Sequence, residues 1–506
     1  LKPPLAVALA LLAAATPLVA QGESRRADRA FPADSLAAAL AAGRAALADA
    51  DPTRAVDAYR RAQAFFGLEV LYGESRDPDP ASTAIARGLA EAYLALGDPH
   101  AAAVEALRGT QLEQDDARLW TLLGLARYRL AEIDGARAAL ERALALDPDA
   151  ADARWGMGLV AVAVNRAAEA ASHAERALAL APDPRYALSL ARWAATAGDY
   201  RRAAAALARW LELGPADPDV EGYANLRRFY DLLARGPVAA VDAQVTRAQL
   251  NFDLKRGDEI PYVPARLNGG EPVYVLFDTG AERNVLDRRF AEEIGLEVLP
   301  GGRLHGAYRQ APGGYAILDS LALGSITLTR VPFAVGDFGT LSLGGQGAYY
   351  IAGVINPALL FRDFAVVLDY RNRRIELVRH DAGGAAHLSR PTTRRRTVVP
   401  FAFDANGVWP VVRARLDGAR ALPLLVDTGA SDLLIGRQAA GVLRLDPLAF
   451  SVQLGEHGRD GLRGILLDGA PAEPWGIALQ GILGYPFFRD ARVGFDYRTM
   501  VMIVED

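Results

Sequence analysis

The tripeptide Asp-Thr-Gly occurs twice, each time closing an apolar run and each time followed by alanine: Val275-Leu276-Phe277-Asp278-Thr279-Gly280-Ala281 and Leu424-Leu425-Val426-Asp427-Thr428-Gly429-Ala430. The two aspartates are 149 residues apart, and the same offset relates the stretch 263–269 to 412–418. Both stretches read as strand, two-residue turn, strand, leading into the acidic turn. Further on, Phe361-Arg362-Asp363 and Asp369-Tyr370-Arg371 recur as Phe488-Arg489-Asp490 and Asp496-Tyr497-Arg498. An internal duplication of this kind brings two carboxylates face to face. Such a pair cannot easily ionise twice, so it shares a proton and can activate water.

At 506 residues the chain exceeds one hydrophobic core, and two or three domains are expected. Hydrophobic residues make up 51% and charged residues 23%, which marks globular domains rather than disorder. The net charge of -5 gives no electrostatic reason to expect nucleic acid. The absence of cysteine excludes disulfides, thiol catalysis and zinc thiolate sites. The six histidines have no metal-ligand spacing, Gly344-Gly345-Gln346-Gly347 lacks the setting of a nucleotide loop, and no Gly-x-Ser-x-Gly elbow occurs.

Residues 1–20 have the layout of a secretory signal: Lys2, an apolar stretch over 5–15, then small residues up to Ala20. The apolar core is shorter than the roughly 20 residues of a membrane span. Cleavage after Ala15 or after Ala20 fits equally. The expectation is an exported protein, periplasmic or secreted, with no stable membrane insertion once the signal is removed.

Residues 34–236 are rich in Ala, Leu and Arg at helical spacing. Gly124 and Gly158, Ala136 and Ala170, Ala143 and Ala177, and Pro148 and Pro182 are each separated by 34 residues. In period and residue pattern this stretch resembles tetratricopeptide repeats, with about five units expected and a capping helix over 221–234. Stacked helix pairs expose a groove that can recruit a protein partner or substrate, or they can pack against the C-terminal half and limit access. After Pro237 the pattern changes to short β-type runs punctuated by glycine. The first lobe is expected over 245–379, a linker over 380–397 and the second lobe over 398–506.

Each copy of the duplicated half is similar to a retroviral-type, retropepsin-like aspartic protease monomer. The resemblance rests on the hairpin leading to Asp-Thr-Gly-Ala and on the later Gly481-Ile482-Leu483-Gly484 segment, which in the family passes close to the active turn. It implies a multidomain chain: an all-α solenoid, then a mainly β, two-lobed pseudo-dimer that needs no homodimer partner. It also implies an aspartic endopeptidase acting on peptide or protein substrates through Asp278 and Asp427, without cofactor or metal. Thr279 and Thr428 would interlock, and Gly280 and Gly429 would permit the turn. Ala281 and Ala430 replace a hydroxyl residue, so the pair should be less acidic than one receiving that hydrogen bond, with mildly acidic working conditions. Gly484 supports the second turn; Asn356 stands in its place in the first copy and puts that packing in question. Arg283 and Asp432 border the substrate backbone in the family, though capping or turn roles fit them as well. Flaps are expected over 303–315 and 454–464. The rival reading is a non-catalytic peptide-binding scaffold in an envelope complex.

Overall fold

The computed structural model describes residues 33–71, 80–254, 259–305, 310–337, 351–389, 395–468 and 475–506. The candidate signal, the Gly344–Gly347 run and the tip of the 303–315 segment lie outside them. The chain divides into two compact units, residues 1–89 and 90–506. In the first unit, helices Ala33–Ala48 and Pro52–Leu71 form an antiparallel pair, followed by the start of Pro80–Leu96. Tyr59 is buried there, and its ring occupies the space that a Cβ at Gly43 or Gly88 would need. Small residues at these positions let the helices close on the ring.

The second unit continues the alternation with Pro99–Leu112, Ala117–Arg129, Ile133–Leu146, Ala151–Ala163, Ala167–Leu180, Pro184–Thr196, Tyr200–Glu212 and the final Val220–Leu233. Aspartates start several of these helices: Asp98, Asp116, Asp183 and Asp199 each accept a backbone N–H from the first turn. The repeat glycines mark close approaches, since a Cβ at Gly124 would run into Leu140 and one at Gly158 into Trp193. The result is a run of helix pairs that ends in Val220–Leu233.

The remainder is mainly β. In the first lobe, strand Pro261–Leu267 pairs antiparallel with Val273–Phe277, which pairs parallel with Ile351–Ile355. The second lobe repeats this with Pro410–Leu416, Ala421–Val426 and Gly481–Leu483. A six-stranded sheet joins the lobes: Phe364–Asp369 of the first pairs antiparallel with Arg492–Asp496 of the second, Ala365 opposite Asp496 and Asp369 opposite Arg492. That exchange is symmetrical about Val367 and Gly494. One apolar core runs through both lobes, from Phe252 and Phe277 to Phe403 and Phe495.

The structure corrects three expectations. The first lobe begins earlier than 245, because Ala240–Val241 already pairs with Thr329 and Leu328. The 380–397 stretch is not a bare linker: helix Gly384–Ser389 lies on the joint sheet, burying Leu388 with Ala365, Val367 and Ile503. The third concerns the flaps. In the first lobe Leu267 stands opposite Leu321, and the equivalent pair in the second lobe is Leu416 with Val452. From the end of the strand that follows the acidic turn to this point the offset is 34 positions in the first lobe (321 − 287) and only 16 in the second (452 − 436). The missing residues are those of the hairpin formed by Leu299–His305 and Gln310–Leu323. The 454–464 segment therefore matches the sheet hairpin between Leu323 and Ile326 and its continuation, not a flap. Only the first lobe has a flap-like hairpin among the described residues.

Candidate active site

Asp278 and Asp427 each follow the buried last residue of a strand, Phe277 and Val426, and each backbone N–H is tied to the neighbouring strand: Asp278 N–H donates to Ile355 O and Asp427 N–H to Leu483 O, at 2.9 and 3.0 Å. The turns then cross. Thr279 N–H donates to Thr428 Oγ1 at 3.1 Å and Thr428 N–H to Thr279 Oγ1 at 3.0 Å. Each hydroxyl donates onward across the lobe boundary, Thr279 to Val426 O and Thr428 to Phe277 O, both at 2.7 Å. Both threonines are 1% exposed. Four buried hydrogen bonds therefore fix the spacing of the turns, since breaking any one would strand a desolvated group.

This clasp brings the carboxyls into a hydrogen bond with each other. A Cβ at Gly280 would overlap the Asp427 carboxylate, and one at Gly429 would overlap Asp278. The glycines are thus required by the partner acid crossing over them. Asp278 Oδ1 accepts Gly280 N–H at 2.7 Å and Ala281 N–H at 3.1 Å; Asp427 Oδ1 accepts Gly429 N–H at 2.8 Å. Ala281 thus supplies a donor through its backbone, although its side chain has none. Burial raises both carboxyls above the usual range, and the adjacent Asp278 charge drives Asp427 further up. The pair retains one proton to higher pH than an isolated aspartate would.

Asn356 and Gly484 solve the same packing problem differently. At Gly484 a Cβ would collide with the carbonyls of Asp432 and Ala430, while Tyr485 N–H donates to Ala430 O at 2.9 Å. In the first lobe the residue after Asn356 is Pro357, which has no N–H to give. Asn356 Nδ2 donates in its stead, to Ala281 O at 2.5 Å and Thr279 O at 3.3 Å. Its Oδ1 accepts Ala358 N–H at 2.7 Å, and its own N–H is accepted by Asn284 Oδ1 at 3.0 Å. Asn356 has φ −98, so no unusual backbone angle is involved. The departure from glycine is a compensated exchange. Asn284, its partner, is not evident from the sequence, where it follows Glu282 and Arg283; the available signal is that the second copy has Leu433 at the matching position.

The remaining candidates separate. Asp432 is exposed, its side chain accepting from Ser431 Oγ at 3.0 Å. Arg283 Nη2 pairs with Glu282 Oε1 at 3.1 Å, and that charge holds the guanidinium firmly protonated. Tyr315 of the hairpin hydrogen-bonds Arg283, and burial pushes its hydroxyl up. Tyr230 of the capping helix faces the same group, with burial again raising its hydroxyl. Phe229 stacks on Tyr315 with ring centroids 5.0 Å apart. Sequence reasoning misses Tyr230 and Tyr315, because nothing local links a repeat helix to a hairpin over 80 residues away. It also misses Tyr370, whose buried hydroxyl has no hydrogen-bond partner among the described residues and is pushed up by burial and by both acidic residues.

The helical repeats are not a free recruiting surface along this stretch. Trp193 Nε1 donates to Ala405 O at 2.9 Å, Ala478 N–H to Arg129 O at 2.8 Å, and Trp155 meets Trp475 edge-on at 5.7 Å. These contacts come from the first helices of successive pairs and are made to the second lobe. The expected groove for a separate protein is here an internal interface. Arg362 ties the junction, donating to Ala358 O, Asn165 Oδ1 and Gly407 O at 2.7, 3.0 and 2.6 Å. Burial lowers its guanidinium to about 10.

A family model described as aspartyl protease matches residues 263–352. A comparison with curated protein sequences returns no match. Similar solved structures include a thermophilic TPR protein of Thermus thermophilus, with 22% identity over 39% of this chain and 98% of that one, TM-score 0.31. The pilF protein of Pseudomonas aeruginosa has 20% identity over 40% of this chain and 87% of its own, TM-score 0.32. MamA has 22% identity over 36% and 92%, TM-score 0.27. The family match thus makes the chain aspartyl-protease-like over 263–352, behind the run of helix pairs.

Proposed function

We propose that the chain is an exported aspartic peptidase of retropepsin-like type whose two lobes act as an internal pseudo-dimer. The observation that carries this reading is the Asp278–Asp427 hydrogen bond held across the threonine clasp. Asp278, with two backbone donors, is the better-solvated ion and takes a proton from the attacking water. Asp427 keeps the shared proton and gives a hydrogen bond to the scissile carbonyl. The developing oxyanion is thereby neutralised without a metal or cofactor in the scheme. The scaffold alternative draws on Asn356 and on the shorter second lobe; the satisfied contacts of Asn356 weigh against the first of these grounds.

The test is hydrolysis of a peptide library near pH 5 by the full chain, compared with Asp278→Asn and Asp427→Asn. Each substitution should lower turnover by roughly 10²–10⁴-fold, the scale of general acid–base loss. Undiminished turnover in both variants would dispose of the mechanism.

A further inference from the structure

The two acidic residues sit in matching strand frames but meet different surroundings. Residues two apart along a strand share a face, so Leu276 lies on the Asp278 face and Leu425 on the Asp427 face. Strand register extends each into a row. In the first lobe the row is Tyr262, Leu276, Val354 and Val285. In the second it is Val411, Leu425, Ile482 and Leu434. Tyr262 is 1% exposed and Val285 packs beside Phe229 and Leu233 of the capping helix, but Leu276, Val354 and Val285 all remain half-buried. Val411 and Leu425 are 2% exposed and Ile482 is 7%, all in one apolar cluster with Leu122, Leu159 and Trp193 of the helical repeats. Leu434 and Ala430, the residue three after Asp427, pack against the same cluster.

The helices therefore cover the carboxylate face of the second lobe, the lobe that lacks a flap-like hairpin among the described residues. The cover is not built as a latch. It is a continuous apolar core fastened by the buried Trp193 hydrogen bond and by Arg362, which bonds to the repeats and to both lobes at once. Lifting it would return Val411, Leu425, Ile482 and Trp193 to water, and backbone hydrogen bonds from an incoming extended peptide would not offset that exposure.

We infer that the substrate groove of this peptidase is one-sided, an inference that rests on the proposed hydrolytic function. An extended peptide lies along the first lobe, between the Leu276–Val354 row and the paired strands Leu299–His305 and Gln310–Leu323. On the other side of the scissile bond the helical wall leaves room for only a short stub. The substrate class is then short peptides and chain ends, not the interior of long chains. A dyad of this kind in an open cleft would cut internally; the wall changes the outcome without touching the chemistry.

The test uses the intact protein on two substrates: an unfolded protein several hundred residues long, and a nested peptide series built on the best library sequence and lengthened by Gly-Ser repeats at one end or the other. Mass spectrometry reads the cut positions, with Asp427→Asn as the control. The expected result is Asp427-dependent cleavage within a few residues of one terminus. Lengthening that end should lower kcat/KM by at least about tenfold, and lengthening the other should change it less than about twofold. Asp427-dependent cuts spread through the long chain, or equal tolerance of extension at both ends, would overturn the one-sided groove and leave the peptidase reading intact. Absence of any Asp427-dependent hydrolysis would overturn both.

Discussion

Replacing Asn356 by glycine gives the first lobe the residue that the second lobe carries at this point, and by family pattern it should be benign. The structure predicts the opposite. Asn356 is completely buried, and its side chain serves Thr279 O, Ala281 O and Ala358 N–H. In the second lobe Tyr485 N–H serves Ala430 O, but Pro357 cannot do this for Ala281 O. Asn356→Gly would thus leave two carbonyls and one N–H without protein partners, at roughly 1–3 kcal/mol for each one that water fails to reach. Water entering the vacated volume will serve some of them, and loss of the helix cap adds only a few tenths of a kcal/mol, because glycine is itself tolerated at that position. A net loss of about 3 kcal/mol is expected, which at a slope of about 2–3 kcal/mol/M moves the urea midpoint by about 1 M. The control is Asn356→Gly combined with Pro357→Ala, which restores a backbone donor next to Ala281 O and should recover part of the loss. Urea titrations followed by far-UV circular dichroism would measure both. If the single variant is as stable as the parent, or the double variant no better than the single, the asparagine amide does not replace a missing N–H.

Two further outcomes concern the acidic pair and the hairpin. Burial raises both carboxyls in the folded state, so folding binds protons more tightly than the unfolded chain does. That contribution is complete below the ordinary carboxyl pKa of about 4 and disappears as pH rises through the raised values. Asp427→Asn removes the penalty, so its melting temperature should gain on the parent's as pH rises above about 4, by the equivalent of about 1.4 kcal/mol for each pH unit that separates the folded from the unfolded titration; a constant difference would contradict this. Gly222 of the capping helix lies so close to Gly302 of the hairpin that a Cβ would overlap its Cα. Gly222→Ala should therefore destabilise by about 1–3 kcal/mol and weaken the near-UV signal of the Phe229–Tyr315 stack, and an unchanged melting curve would show that the helix does not hold the hairpin.

Much of the site is legible in the sequence because it depends on short-range chemistry. An apolar strand followed by Asp-Thr-Gly has few ways to turn, and a second copy in a matched frame gives the carboxylate a partner. The Asn356 arrangement cannot be read so directly. Its meaning depends on Pro357 beside it and on Ala281, 75 residues earlier. The 454–464 segment reads as a flap because glycines and alternation mark hairpins in general, while only strand register shows which hairpin is meant.

The 34-residue period and the paired acidic turns determined by themselves that helix pairs would precede two β lobes, since each pattern fixes which face of a local element must be buried. Where those faces find their cover is a long-range matter. That the repeats bury Leu425 and Ile482 beside Asp427, while Leu276 and Val354 stay half-open beside Asp278, was decided only by tertiary packing. An apolar residue states in the sequence that it will leave water, but the surface it meets is chosen by the shape of the whole assembly.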